Sequence, residues 1–184
     1  MRYTLAALAA LSILLLSHTS SYAQGMPFGQ PEDVEYAVKL WRAMEGANYV
    51  GPTPIIATTY KGGTAPHTET VMTLQGKLTI DGVEGVIIMK KNFGEGATEA
   101  KIFKDPNQFL RMITVTYQRE RGYDSENQDW FWVAYQPDGA VNKAPNGMMI
   151  AGRFAKGMDI GCIACHQGAP GGDFVYLHDG IALR

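Results

Sequence analysis

Residues 84–91 read Glu-Gly-Val-Ile-Ile-Met-Lys-Lys, an apolar, β-branched run that ends on two lysines. It is one of four runs rich in β-branched and aromatic residues, the others being 68–81, 110–118 and 129–136 (DWFWVAYQ). Such composition marks strands. The gaps between the runs are short and the runs are consecutive, which favours antiparallel pairing over strands separated by crossover helices. Strand alternation in the opening stretch puts Val86, Ile88 and Lys90 on one face and turns Lys91 outward. The same rule gives Trp130 and Trp132 one face and Phe131 the other, with Tyr135 in the same run, so this aromatic cluster reads first as core.

Working outward, Pro137-Asp138-Gly139 is a turn, Pro fixing one backbone angle and Gly relaxing another. Upstream, residues 31–49 place Val34, Ala37, Val38, Trp41 and Met44 at helical spacing behind Pro31-Glu32-Asp33, a suitable helix start. Gly51-Pro52-Thr53-Pro54 breaks that helix. The expected fold is α+β: a mainly antiparallel β-sheet, an N-terminal helix and a short C-terminal helix carrying the cysteine pair described below.

The first residues, Met1-Arg2-Tyr3-Thr4, an apolar run over 5–16 and Ser21-Tyr22-Ala23 describe a secretory signal peptide over 1–23, cleaved after Ala23. The apolar run is shorter than the roughly 20 residues a spanning helix needs. Residues 24–184 suit one domain, periplasmic or secreted, with no membrane segment. The net charge of −2 and interspersed charges, without a basic stripe, argue against nucleic acid as a partner.

The chain holds 2 cysteines, Cys162 and Cys165, too close together to cross-link distant parts of a fold. With His166 they form Cys-Ile-Ala-Cys-His. Two thiols at this spacing reach the two vinyl groups of one porphyrin while the adjacent His reaches its iron, so the motif reads as attachment of one haem c. His166 is then the proximal metal ligand, with its other ring nitrogen oriented by a carbonyl or carboxylate. A thioredoxin-like redox pair, a zinc site completed by His178 and a local disulfide are the competing readings. A sixth iron ligand would have to be His178 or come from upstream, where Met72, Met89, Met112, Met148, Met149, Met158 and His67 are candidates. Methionines inside strand runs are more often core filling. Iron with one protein ligand keeps a position open for a small molecule, and this open site is the favoured reading.

Four segments, APHTET (65–70), DGVEGVIIMKKNFG (81–94), GYDSENQDWFWVAYQPDG (122–139) and GCIACHQGAPGGDFVYLHD (161–179), together resemble the cytochrome P-460 family, which includes the cytochrome c′-beta proteins. The resemblance covers most of residues 24–184. It implies a secreted bacterial protein with a mainly antiparallel β fold, often homodimeric, and a five-coordinate haem iron bound by His166. It further implies that Lys90 matches the lysine bonded to the porphyrin in family members that oxidise hydroxylamine and pass electrons to a partner cytochrome. In the c′-beta proteins that bond is missing and nitric oxide is bound instead. A low-spin electron carrier is the third reading. Hydroxylamine oxidation needs a base near the iron. Glu120, Asp124, Glu126 and Asp129 are the acidic candidates, though surface solvation is the ordinary fate of each.

Overall fold

The computed structural model describes residues 27–176. Six strands form one sheet in the order β1-β2-β3-β4-β5-β6, every neighbouring pair antiparallel. They are β1 (Thr59–Lys61), β2 (Thr70–Ile80), β3 (Val83–Phe93), β4 (Leu110–Gln118), β5 (Trp130–Tyr135) and β6 (Ala151–Gly152). Sequence order equals spatial order because each connection is short, the meander expected of consecutive strand runs. Among the described residues three α-helices accompany the sheet: α1 (Pro31–Gly46), α2 (Glu99–Lys104) and α3 (Cys162–His166). The protein is therefore mixed α+β and mainly sheet.

Helix α1 opens with Pro31, whose missing N–H costs nothing in the first turn. The Asp33 carboxylate accepts from the Gln30 backbone N–H at 3.2 Å. The helix stops at Gly46, three residues before the end expected from its periodicity, because Asn48 takes a left-handed conformation (φ 57°) and the Tyr49 N–H turns back to the Met44 carbonyl. Leu40 and Met44 are fully buried against the sheet. Burying side chains of this size contributes roughly 1.5–3 kcal/mol each.

The two faces of the sheet carry different cores. On one, α1 packs over Met72, Ile87, Met89, Phe93, Ile113, Val115, Tyr117, Phe131, Val133 and Tyr135. The Tyr135 hydroxyl donates to the Ala37 carbonyl at 2.7 Å, tying β5 to the helix. On the other face Ile88, Trp130, Trp132 and Ile163 form a small separate cluster under the C-terminal segment. The alternation expected for 84–91 and 129–136 is present. Two expectations need correction. Lys91 is turned away from Lys90, but it is not at the surface: it is 2 % exposed beneath α1 because β3 runs on to Phe93 and lies between β2 and β4. Asp124 is likewise buried, at 3 % exposure, rather than solvated, since the Lys156 ammonium pairs with it at 2.5 Å and the Asn127 amide donates to it at 2.8 Å.

Candidate cofactor site

A cavity of about 890 Å³ lies between the second face of the sheet and the C-terminal segment. Ile88 and Lys90 of β3, Thr114 and Thr116 of β4 and Trp132 of β5 line it from the sheet, and Cys162, Cys165 and His166 line it from α3. Its volume lies within the range of roughly 300–1,000 Å³ found for cofactor and ligand sites.

Local sequence explains how α3 is aimed. Gly161 precedes it at φ 137°, a conformation other residues avoid, and a Cβ there would overlap the Ala155 side chain. Ile163, 1 % exposed, plugs into the Ile88–Trp130–Trp132 cluster and so fixes which way the helix faces. Both cysteines are free thiols. Burial, with a smaller contribution from Cys165, pushes the Cys162 thiol up to about 12, so it stands as a neutral thiol.

His166 is held by its surroundings in a single form. Its ring packs edge-on against Trp132 at 4.7 Å between centroids and against Tyr176 at 5.3 Å. Its Nδ1–H donates to the Phe174 carbonyl at 2.6 Å. A carbonyl only accepts, so Nδ1 carries the proton and Nε2 keeps its lone pair. The Phe174 carbonyl is the orienting group the sequence left unnamed. It is set by three bonds of the loop: the Trp130 indole N–H to the Asp173 carbonyl (3.0 Å), the Gln128 amide to the Gly172 carbonyl (2.6 Å) and the Val175 N–H to the Asp173 carboxylate (3.0 Å). Burial pushes the His166 imidazole down to about 4; the Phe174 bond opposes this, while Lys90 and His67 add to it. The ring is therefore neutral at physiological pH, the state in which it can bind a metal.

Lys90 is 8 % exposed, lines the same cavity and has no hydrogen bond or ion pair at its ammonium among the described residues. Burial lowers its pKa, against a smaller raising effect of Cys165. The Trp132 indole N–H is a second unpaired buried donor on this wall. Two thiols, one neutral imidazole nitrogen and a large apolar volume form a set able to hold a flat metal-bearing ring through two thioether bonds and one metal–nitrogen bond.

The structure separates the other candidates. Met72 and Met89 are fully buried in the core under α1, and Met148, Met149 and Met158 do not line the cavity; Met112 and His67 do. His178 and the expected signal peptide lie outside the described residues. Glu120 pairs with Arg119 at 2.9 Å, Glu126 with Lys156 at 3.0 Å, and the Asp129 carboxylate accepts from the Asp124 N–H at 2.7 Å. None of the four acidic candidates reaches the cavity; among the described residues the carboxylate that lines it is Asp159, which no motif or spacing singles out. The thioredoxin reading fails on topology, since every strand pair among the described residues is antiparallel. Among the described residues no three of His, Cys, Asp and Glu gather as a metal cluster.

Comparison with models of protein families finds no match, and neither curated proteins nor solved structures yield one.

Proposed function

We propose that this chain is a periplasmic mono-haem c-type cytochrome whose iron has one protein ligand, His166, and an open position for small nitrogen compounds, hydroxylamine or nitric oxide. The observation that carries the reading is the His166 Nδ1–H bond to the Phe174 carbonyl, in a helix whose two free thiols share the apolar cavity with the bare Nε2. The residues fit the group: Cys162 and Cys165 would hold the porphyrin covalently, and His166 would bind its iron. When bound, the haem supplies an iron centre that coordinates the small molecule and exchanges electrons. The chain keeps His166 neutral, offers the apolar side chains of Trp132, Ile88 and Phe174 as walls of the cavity, and places Lys90 on the same wall, where its amine would be available to the group.

Two versions share this site. In the enzymatic one, implied by the resemblance to the cytochrome P-460 proteins, Lys90 is bonded to the porphyrin, hydroxylamine is oxidised and a partner cytochrome takes the electrons. Its support is the location of Lys90: buried, without a hydrogen-bond or ion-pair partner at its ammonium among the described residues, and on the cavity wall. In the second version the bond is missing and nitric oxide is captured. A low-spin electron carrier would need His67, Met112 or His178 on the iron. A homodimer follows from the resemblance alone.

The test is the absorption spectrum of the ferrous protein, expressed with residues 1–23 in a host that attaches haem c. A strongly red-shifted, broadened main band is expected for the lysine-bonded ring. An ordinary high-spin spectrum selects the nitric oxide version, sharp low-spin bands select electron transfer, and a protein without covalent haem overturns the proposal.

A further inference from the structure

The cavity wall carries one more histidine, and its hydrogen bonds define its protonation. Asn92 is 6 % exposed on the cavity side of β3, and its amide nitrogen donates to the carbonyls of Lys90 at 3.0 Å and Met112 at 3.3 Å. Two carbonyl acceptors fix which end of the amide is nitrogen, so its oxygen is the atom facing His67 Nδ1, at 2.7 Å. An amide oxygen only accepts. Nδ1 of His67 therefore carries the proton, and Nε2 is a bare lone pair on a ring that lines the cavity together with Lys90 and His166.

The loop is built to bring this ring in. The His67 N–H donates to the Thr64 carbonyl at 2.7 Å, and the Gly62 N–H to the Glu69 carbonyl at 2.6 Å. A Cβ at Gly62 would overlap the His67 carbonyl oxygen, so the turn closes this tightly only with glycine there. Burial and the neighbouring Lys90 both favour the neutral ring, against the opposing effect of the Asn92 bond.

We propose that His67 is the proton acceptor of the site: its Nε2 takes a proton from an N–H or O–H of hydroxylamine held in the cavity, while Asn92 keeps the other nitrogen protonated and the ring in place. The step is a proton transfer. The ligand's N–H or O–H bond breaks, its electron pair stays on the ligand, and the proton forms a new bond to Nε2, giving an imidazolium whose Nδ1–H still reaches Asn92. The role falls to His67 because Glu120, Asp124, Glu126 and Asp129 are committed elsewhere. Asp159, which also lines the cavity, has no comparable set of bonds fixing it among the described residues. The inference rests on the haem reading for the iron that holds the ligand.

The test compares the haem-loaded wild type with His67→Gln and Asn92→Asp. His67→Gln should leave the ferric and ferrous spectra and carbon monoxide affinity unchanged while hydroxylamine oxidation falls about 10²–10⁴-fold. Asn92→Asp keeps an acceptor for Nδ1 but loses the amide donor to the Lys90 and Met112 carbonyls, so its rate should fall, though by less than that of His67→Gln. Independently of haem, nitrogen-15 spectra of the histidines should show His67 protonated at Nδ1 alone. A His67→Gln protein that keeps the full rate, a low-spin spectrum that His67→Gln abolishes, or an Nε2-protonated ring overturns the role of His67 and leaves the haem site standing. A wild type without covalent haem overturns the site reading, and a loaded wild type that does not oxidise hydroxylamine overturns this step.

Discussion

Lys90 and Lys91 are neighbours on one strand, and they belong to opposite faces of one sheet. Lys91 points under α1 into a core of aliphatic and aromatic side chains, beside Trp41 and a small cavity of about 300 Å³, with a 3.4 Å bond to the Ile55 carbonyl. Lys90 points into the large cavity with the two cysteines and with His67, whose ring is bonded to Asn92. Both are buried lysines with lowered pKa, and burial is the leading cause for each. The difference lies in what surrounds them. The α1 face is packed by the chain's own helix and strands, so an ammonium there, with a single 3.4 Å bond and no counter-charge among the described residues, costs stability. The other face combines apolar walls with donors and lone pairs aimed at common space, where polar groups can act on a ligand.

The largest effect should come from Cys162→Ser with Cys165→Ser. Covalently held pigment should vanish completely on a denaturing gel stained for haem, while the circular dichroism of the sheet persists. Loss of the sheet signal as well would mean that the two faces are not independent. On the α1 face, Leu40→Ala should cost about 2–5 kcal/mol in urea denaturation, as for other fully buried leucines, with little change in the spectrum of the folded protein.

Lys91→Met should raise stability at pH 7 by up to about 3 kcal/mol, the full equivalent of the lowered pKa. Burial pushes the Lys91 ammonium down to about 8 from an ordinary 10.5. Between those values the unfolded chain binds a proton that the folded chain does not, so wild-type stability should rise with pH from about 8 toward 10. Near and above pH 10 the buried Tyr36, Tyr123 and Tyr135, whose pKa values are raised by burial, pull stability down again. A flat profile between pH 8 and 10, or no gain in Lys91→Met, would show that water reaches this ammonium.

The smallest stability change should come from Lys90→Met, which faces open volume and should stay within about 1 kcal/mol of wild type. Its effect belongs to the spectrum: the red-shifted band disappears if Lys90 is bonded to the ring. Equal stability gains from Lys90→Met and Lys91→Met would erase the contrast between the faces.

Much of the sheet was legible because its long strands have period and length. The run 110–118 coincides with β4, and 129–136 differs from β5 by one residue at each end. The short elements were not legible. β1 has 3 residues and β6 has 2, too few to show any alternation, and both are strands only because β2 and β5 offer free edges. The short α2, with the Thr98 hydroxyl accepting from the Lys101 N–H at 3.4 Å, also left no period.

Antiparallel pairing of the four long runs, the alternation that separates Lys90 from Lys91, and the clustering of Cys162, Cys165 and His166 could be read from the sequence alone. These follow from local chemistry and from a period of two, which need no knowledge of distant residues. Only the tertiary structure decided that Phe174 orients His166, that Asn92 sets the tautomer of His67, that Asp124 belongs to a buried ion pair and that Lys91 lies under a helix. Each of these depends on residues distant in sequence or on which element covers a face. A hydrogen bond between groups 25 positions apart, as between His67 and Asn92, leaves no trace in the local pattern of either segment.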